Sequence, residues 1–339
     1  MGAIWFRHTE LISAVSEIVG YKSGLALTRD ELKDHAPDCS RELWERDSNE
    51  QGVRIRSEDF EDLVLNILYR LGAVASPERP LPALAVLNEF GHDDESATLL
   101  NTIVAEWDEY FDREAPRLDA TSQKLDPTPF LARVHEEYGD LAVRMANCLI
   151  REIQNALECH PWSAFQRTEW QDQAELRELF RSESLETMHG TFIDQRFVDY
   201  LAQNFDSIDQ INWRKFEGLA AEFFSRQGFH VEPGPGRNDN GIDIRVWPTN
   251  EDTEGPPALL VQCKRTKTAV GKVVVKALWA DVIHEDATSG LIVTSSRLAP
   301  GAEKLCVARS YPIEQADRSA LREWVAQMRT PNTGLFLAE

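Results

Sequence analysis

Three side-chain types that can do chemistry together lie in the last third of the sequence: a carboxylate, an amide and an ammonium group. Asp243 lies in the segment IDIRV, and Gln262 and Lys264 lie in the segment LLVQCK. Strand side chains alternate with a period of two, so Gln262 and Lys264 are predicted to share one face of a strand. If that strand pairs as a hairpin with the strand of Asp243, the three side chains converge on one point.

These residue types favour a hard divalent cation with an ammonium group beside it. Mg²⁺ takes oxygen ligands from one or two carboxylates, together with water and substrate phosphate. Such an ion can lower the pKa of a water and stabilise the leaving oxygen of a phosphodiester. Lys264 is expected to orient the attacking water or to neutralise charge that develops on the phosphate. Mg²⁺, with Mn²⁺ as an alternative, is therefore the predicted cofactor.

A further candidate ligand is Glu217, which lies within an apolar helical stripe at residues 213–224. A carboxylate on a buried helix face is costly unless it is paired or binds metal. Glu217 is predicted to be a ligand or a water-mediated support, and a salt-bridged helix edge is the alternative.

Two groups of residues are predicted to contact phosphates. Residues 264–276 contain five basic residues and no acidic residue, and phosphate contact is a natural use of such a stretch. The second group lies in the Gly/Pro loop before Asp243. An equal alternative for Lys272 and Lys276 is a solvated helix face. For the loop residues Arg237 and Asn238 the equal alternative is a solvated turn. The candidate DNA-binding residues are Arg237, Asn238, Arg265, Lys267, Lys272 and Lys276.

The elements that position these residues follow an α/β order over residues 201–339. We predict a helix at 213–227, strands at 229–232, 242–247 and 258–265, a helix at 270–285, a strand at 291–294, a helix at 300–309, a short strand at Ile313 and a last helix, capped by Asp317, that extends to 328. This order predicts a central mixed sheet with buried middle strands. Ile242, Ile244 and Val246 are expected on one face and Asp243 on the other.

Residues 1–200 are predicted to form an acidic, mainly α-helical region. Apolar residues recur with helical spacing at 60–71, 99–111 and 130–157, and strand signals are scarce. Residues 1–204 hold 39 acidic and 20 basic residues, whereas residues 205–339 hold 18 and 16, so this region carries nearly all of the net charge of −21. A helical scaffold is the simplest interpretation. The alternative is a sensor or regulatory region that binds a protein partner, forms a homo-oligomer, or competes with nucleic acid for the basic stretch of the C-terminal region.

Length and composition exclude several classes of protein. A chain of 339 residues predicts about two domains, an α+β protein overall. Five scattered cysteines without a CxxC pair argue against a disulfide scaffold or a zinc cluster. No apolar run is long enough for a membrane span, and the first residues lack a secretory signal, so we expect a cytoplasmic protein.

The segments NWRKFEGLAAEFFSRQGFHVE, PGRNDNGIDI, LLVQCKR and GLIVTSSRLAPGAEKL together resemble the catalytic domain of Mrr-type restriction endonucleases, in the PD-(D/E)xK nuclease superfamily. The resemblance covers about residues 195–330. In that family a helix Glu, an Asp and a Gln-x-Lys form the motif, and these fall on Glu217, Asp243, Gln262 and Lys264. The resemblance implies a restriction-endonuclease-like fold and a magnesium-dependent endonuclease that cleaves double-stranded DNA, in restriction or defence. It leaves one-metal and two-metal chemistry open.

Two other functions remain open. The C-terminal region could be an inactive DNA-binding module with a nuclease fold, although the intact motif residues favour an enzyme. The chain could also be an effector that protein partners control through residues 1–200. Plasmid cleavage with and without Mg²⁺ distinguishes the first alternative, and a pull-down with the N-terminal region tests the second.

Overall fold

A computed structural model describes residues 2–40, 43–44, 52–115, 125–166, 168–236 and 241–329. The predicted DNA contacts Arg237 and Asn238 lie outside these ranges. Within them, no helix combines the length and the apolar character that a membrane crossing requires.

The first part of the chain is mainly helical. Its elements are β1 (Ala3–Phe6), α1 (His8–Ser23), β2 (Leu25–Ala26), α2 (Arg29–His35), β3 (Val53–Arg56), α3 (Ser57–Arg70), α4 (Pro82–Phe90), α5 (Asp94–Glu114), α6 (Thr128–Cys159), β4 (Ala174–Glu175), α7 (Leu176–Arg181) and α8 (Gln195–Gln203). Strand β1 pairs antiparallel with β3, and β2 pairs parallel with β4. The three predicted helical stripes therefore lie on α3, α5 and α6.

Helices α4, α5 and α6 form a unit with an apolar core of its own, which includes Ile103, Phe130 and Met145. Helix α6 is interrupted at Gly139, whose φ of 79° and ψ of −172° are not helical. The stripe at residues 130–157 predicted one unbroken helix. The structure differs because a glycine without a Cβ adopts this positive φ at little steric cost.

The last part of the chain is a mixed sheet with helices on both faces. Its elements are α9 (Trp213–Arg226), β5 (His230–Pro233), β6 (Ile244–Trp247), β7 (Leu259–Lys264), α10 (Lys272–His284), β8 (Ser289–Thr294), α11 (Pro300–Arg309), β9 (Ile313–Ala316) and α12 (Arg318–Met328). The strand order is β5-β6-β7-β8-β9. The pairs β5–β6 and β6–β7 are antiparallel, and β7–β8 and β8–β9 are parallel. The predicted α+β class and the mixed central sheet are thus confirmed.

One apolar core extends from the first helices into the sheet. It contains Leu11 of α1, Phe60 of α3, Phe197 of α8, Phe216 of α9 and Val325 of α12. The other face of the sheet packs against α10 and α11 in a separate cluster. The N-terminal helices therefore complete the hydrophobic layer that covers one face of the sheet.

The strand of Asp243 begins later than the sequence predicts. Ile242 packs against Leu260 and Ile292, whereas Ile244 and Val246 pack in the core on the other face. The expectation that the three share one face is therefore wrong for Ile242. The chain turns at Gly241, which has a φ of 91°, so regular alternation starts only at Ile244.

Candidate active site

The carboxyl groups of Glu217 and Asp243 meet at the start of β6. Helix α9 buries Glu217, which is 5% exposed, and Asp243 is 6% exposed. Burial is the main reason that the pKa of Glu217 is raised to about 8; its ion pair with Arg214 lowers the pKa, and the adjacent Asp243 carboxyl raises it through charge and a hydrogen bond. Two carboxyls this close share a proton more readily than they both ionise.

Arg214 holds Glu217 in place and was not identified from the sequence. Its Nη1 donates to Glu217 Oε2 at 2.8 Å, and its Nη2 donates to the carbonyl of Gly234 at 2.8 Å. The two residues are three apart on α9, a spacing that places side chains on the same face of a helix. That spacing was the available signal, whereas the contact with Gly234 depends on the fold.

Backbone groups anchor Asp243 to β7. The amide of Asp243 donates to the carbonyl of Val261 at 3.0 Å, and Asp243 Oδ2 accepts from the amide of Cys263 at 2.6 Å. The β6–β7 ladder ends at the pair Ile244 and Val261, so Asp243 lies just beyond it and bonds to the two residues that flank Gln262 in β7.

The amide of Gln262 is held at one end only. Its Nε2 donates to the carbonyl of Gly241 at 2.8 Å. Its Oε1 is buried and accepts no hydrogen bond from any described residue. An acceptor left unpaired in a protein interior costs free energy unless another ligand meets it. Gln262 Oε1 is therefore suited to coordinate a cation.

Lys264 ends β7, is partly buried and lies opposite Thr294 of β8. Cys263, between Gln262 and Lys264, has a buried thiol. Burial is the largest cause of the raised pKa of that thiol, the charges of Asp243 and Glu217 add to it, and Lys264 acts in the opposite sense. The two carboxyls and the Lys264 ammonium therefore all lie close enough to the Cys263 sulfur to affect its pKa.

This donor set fits a hard divalent cation. It consists of two carboxyls that repel each other and an amide oxygen that lacks a partner in the described part of the chain. Mg²⁺ prefers oxygen ligands of these types. Among the described residues, no group of three or more His, Cys, Asp or Glu side chains could hold a metal ion. A metal site here must therefore use the Gln262 amide or ligands from the substrate and solvent.

The described basic residues divide between two places. Arg265 and Lys267 follow β7 and are exposed, and Arg265 Nη1 donates to the carbonyl of Asp209 at 2.9 Å. Lys272 and Lys276 are exposed on α10. The predicted basic stretch is thus one run in the sequence but two surfaces in space.

Comparisons with known proteins concern mainly the sheet region. Residues 208–325 match the family model of the Mrr catalytic domain, described as restriction endonuclease. A curated relative, the uncharacterized protein y4cE of Sinorhizobium fredii, is 25% identical over 122 residues, which are 36% of this chain and 31% of the relative. This chain therefore spans about a third of that relative.

Among solved structures, the chain is similar to the MspJI restriction endonuclease in complex with a 27-mer oligonucleotide. The identity is 15%, the match covers 63% of this chain and 47% of that one, and the TM-score is 0.27. A TM-score this low does not establish a shared fold. The family match, the mixed five-stranded sheet and the motif order agree for the same residues. The C-terminal third of this chain is therefore a domain of the Mrr-type restriction endonuclease family.

Proposed function

We propose that this protein is a divalent-metal-dependent endonuclease that hydrolyses phosphodiester bonds of double-stranded DNA in restriction or defence against foreign DNA. The observation that supports it best is that the Glu217 and Asp243 carboxyls meet at the start of β6, next to β7, where the buried Gln262 Oε1 has no hydrogen-bond partner among the described residues. These residues lie in a restriction endonuclease family domain.

Each residue at the site has a role in this proposal. Glu217, Asp243 and Gln262 hold the cation, Mg²⁺ or alternatively Mn²⁺. When bound, the metal supplies a lowered water pKa and a countercharge for the leaving oxygen. Lys264 stabilises charge that develops on the phosphate. Arg214 keeps Glu217 oriented toward Asp243 through its bonds to Glu217 and Gly234.

The DNA backbone is proposed to contact both groups of basic residues, those that follow β7 and those on α10. Exposed cations that neutralise phosphates supply most of the affinity that does not depend on sequence. The proposed contacts are Arg265, Lys267, Lys272 and Lys276, together with Arg237 and Asn238.

The remaining proposals concern the whole chain. We divide it into an acidic region, residues 1–200, which senses a signal or binds a partner or a second copy of the chain, and a nuclease domain, residues 201–339. We assign the protein to the cytoplasm, because five scattered cysteines without a CxxC pair fit a reducing compartment.

Plasmid cleavage by the full chain tests the proposed activity. We expect cleavage with Mg²⁺ or Mn²⁺, but not with Ca²⁺ or in EDTA. Asp243→Ala and Lys264→Ala should each lower the rate about 100-fold or more, since the first removes a proposed metal ligand and the second removes a charge that stabilises the reacting phosphate. The controls are Glu303→Gln and Lys304→Ala, which change one exposed charge each on α11 and should cleave like the wild type.

Several outcomes would contradict the proposal. Full cleavage in EDTA contradicts the metal requirement, and at least half of the wild-type rate in Lys264→Ala contradicts its catalytic role. A wild type that binds DNA but does not cut it with any metal contradicts the enzyme and favours the inactive module. Parallel reactions on methylated and unmethylated plasmid test whether base modification triggers cleavage.

A further inference from the structure

A groove lies beyond Lys264, at the end of the sheet where the central strands terminate, and the candidate site does not account for it. It opens at the carboxyl ends of β7 and β8, beside the start of α12. We call it the edge groove. Its lining residues are Asp209, Lys267, Ser295, Ser296, Arg297, Asp317, Arg318, Ser319 and Arg322.

The floor of the edge groove is tied to the strand that carries the candidate site. Thr294 lies opposite Lys264, and its Oγ1 donates to the carbonyl of Lys264 at 2.8 Å. The next residue, Ser295, lines the groove; its Oγ accepts from the amide of Thr266 at 2.9 Å and donates to the carbonyl of Thr266 at 3.0 Å. A ligand in the groove therefore has a fixed position relative to Lys264.

Four cationic side chains line the edge groove, against two carboxylates. Both carboxylates are engaged: Asp317 accepts the amides of Ser319 and Ala320 as the cap of α12, and Asp209 Oδ1 accepts from an arginine at 3.0 Å. Lys267 and Arg297 are exposed, and neither forms an ion pair with a described carboxylate. The groove therefore has an excess of positive charge that can attract an anion.

The wall formed by α12 orients two of the cations. The guanidinium of Arg318 lies 5.5 Å from the ring centroid of Phe205, and that of Arg322 lies 4.4 Å from it. Arg318 also donates to Asp206 and Asp209, at 3.0 Å each. Arg322 lies 3.8 Å from the exposed carboxylate of Asp206, and its side chain remains 61% exposed. A guanidinium that is stacked on a ring loses less conformational entropy when it binds a phosphate.

We propose that the edge groove binds the DNA phosphate backbone beside the phosphate that is cleaved, with Arg297 and Arg322 as direct phosphate contacts in addition to Lys267. Guanidinium groups bind phosphate oxygens bidentately, which fixes the register of the DNA as well as adding affinity. The proposal rests on the proposed nuclease function, because it takes DNA as the ligand. It extends the DNA-binding surface from the segment after β7 to the start of α12.

Salt-dependent DNA binding by the full chain tests this inference. Anisotropy of a fluorescein-labelled DNA duplex is measured in EDTA, so that cleavage does not interfere. Each phosphate contact contributes about 0.9 to the slope of log K against log salt. We expect Arg297→Ala and Arg322→Ala each to lower the slope by about that amount, and we expect their affinity deficit to shrink roughly threefold between about 50 and 200 mM salt.

Lys304→Ala is the matched control, because it removes one exposed charge on α11 outside the groove; it should keep the wild-type slope. A thermal unfolding midpoint equal to that of the wild type shows that each variant retains the fold. Three results overturn the edge groove: wild-type slopes in both arginine variants, an equal loss in Lys304→Ala, or no DNA binding by the wild type. If the wild type binds DNA but does not cleave it with any metal, the proposed nuclease function is contradicted, whereas the proposal that the edge groove binds DNA still holds.

Discussion

Two buried glutamates on α9 differ in what surrounds them, although they lie only five residues apart. Glu222 accepts hydrogen bonds from the amides of residues 191–193 and pairs with Arg226 at 2.8 Å. Glu217 has one ion pair and faces the carboxyl of Asp243. Burial therefore does not by itself separate a structural carboxylate from a candidate ligand. The number of hydrogen-bond donors around the carboxylate distinguishes the two.

We expect Glu222→Gln to lower the free energy of unfolding by about 1–3 kcal/mol, because the amide is a weaker acceptor for three backbone N–H groups and loses the ion pair. Urea unfolding at neutral pH measures this, with the exposed Glu303→Gln as the control. Wild-type stability in Glu222→Gln would mean that the cluster around Glu222 contributes nothing.

Whereas replacing Glu222 should destabilise the protein, replacing Glu217 should stabilise it at high pH, because the free energy of unfolding of the wild type should depend on the protonation of Glu217. Its pKa in the folded state, about 8, exceeds the ordinary value of 4.5, so between these values the folded protein holds a proton that the unfolded chain lacks. Stability should therefore fall as pH rises through this range, by up to about 1.4 kcal/mol per pH unit.

Glu217→Gln should remove most of that slope and be more stable than the wild type at pH 8. Urea unfolding in EDTA at pH 6 and pH 8 provides the comparison. Equal slopes in the variant and the wild type would show that Glu217 is ionised throughout this range.

At the scale of elements, the turn before β6 controls the Gln262 amide. Gly241 has a φ of 91°, and a Cβ there would lie 3.1 Å from Gln262 Nε2. Gly228 at the end of α9 has a φ of 89° and open space around its Cβ position. Both Gly→Ala variants should lose about 1–2 kcal/mol of stability to backbone strain.

Gly241→Ala should in addition lower the cleavage rate about 10-fold or more, because it displaces the Gln262 amide, whose oxygen is proposed to hold the metal. Gly228→Ala should cleave like the wild type once both proteins are folded. Equal cleavage rates of the two variants would show that the position of the Gln262 amide does not matter for catalysis.

The sequence predicted most elements of the nuclease domain because their ends carry local signals. Pro300 begins α11, Asp317 caps α12 and Gly228 follows α9. The pairing of β1 with β3 joins residues about 50 positions apart, and no short-range pattern encodes it. The hydrogen bond of Arg214 to Gly234 and the Gln262 Oε1, which has no described partner, depend likewise on distant backbone. The sequence therefore predicts candidate residues for the site but not the groups that support them.

At the scale of the whole molecule, the shared core determines which pieces can fold. Gln195 and Arg226 donate to the carbonyl of Met328, and Arg329 donates to the carbonyls of Gly72 and Val74. A fragment of residues 201–339 would expose the apolar layer that α1, α3 and α8 cover, so we expect it to aggregate or unfold.

The unit of α4, α5 and α6 is a better target for deletion. Its core is separate, and Pro80 and Asn155 line a common cavity, so its two ends lie close together. Replacing residues 82–153 with a short Gly/Ser linker removes fifteen acidic and six basic residues. If this unit restrains the nuclease by charge, the variant should bind DNA more tightly than the full chain at low salt. The ratio of affinities should approach one as salt screens the charges.

Circular dichroism and thermal unfolding show whether the deletion variant is folded, and anisotropy gives its DNA affinity. Equal affinity at every salt concentration would remove the restraint hypothesis and leave scaffold or partner binding as the role of the unit.

The shared core also sets the order of events during protein synthesis. Leu321, Val325 and Met328 of α12 belong to the same cluster as Leu11 and Val15 of α1. At about 5–20 residues per second, the ribosome takes on the order of tens of seconds to connect these two ends. Throughout that interval the N-terminal helices lack part of their apolar cover. We therefore expect the nascent chain to expose apolar segments of the kind that chaperones bind, and the layer that covers the sheet to be complete only after α12 has emerged.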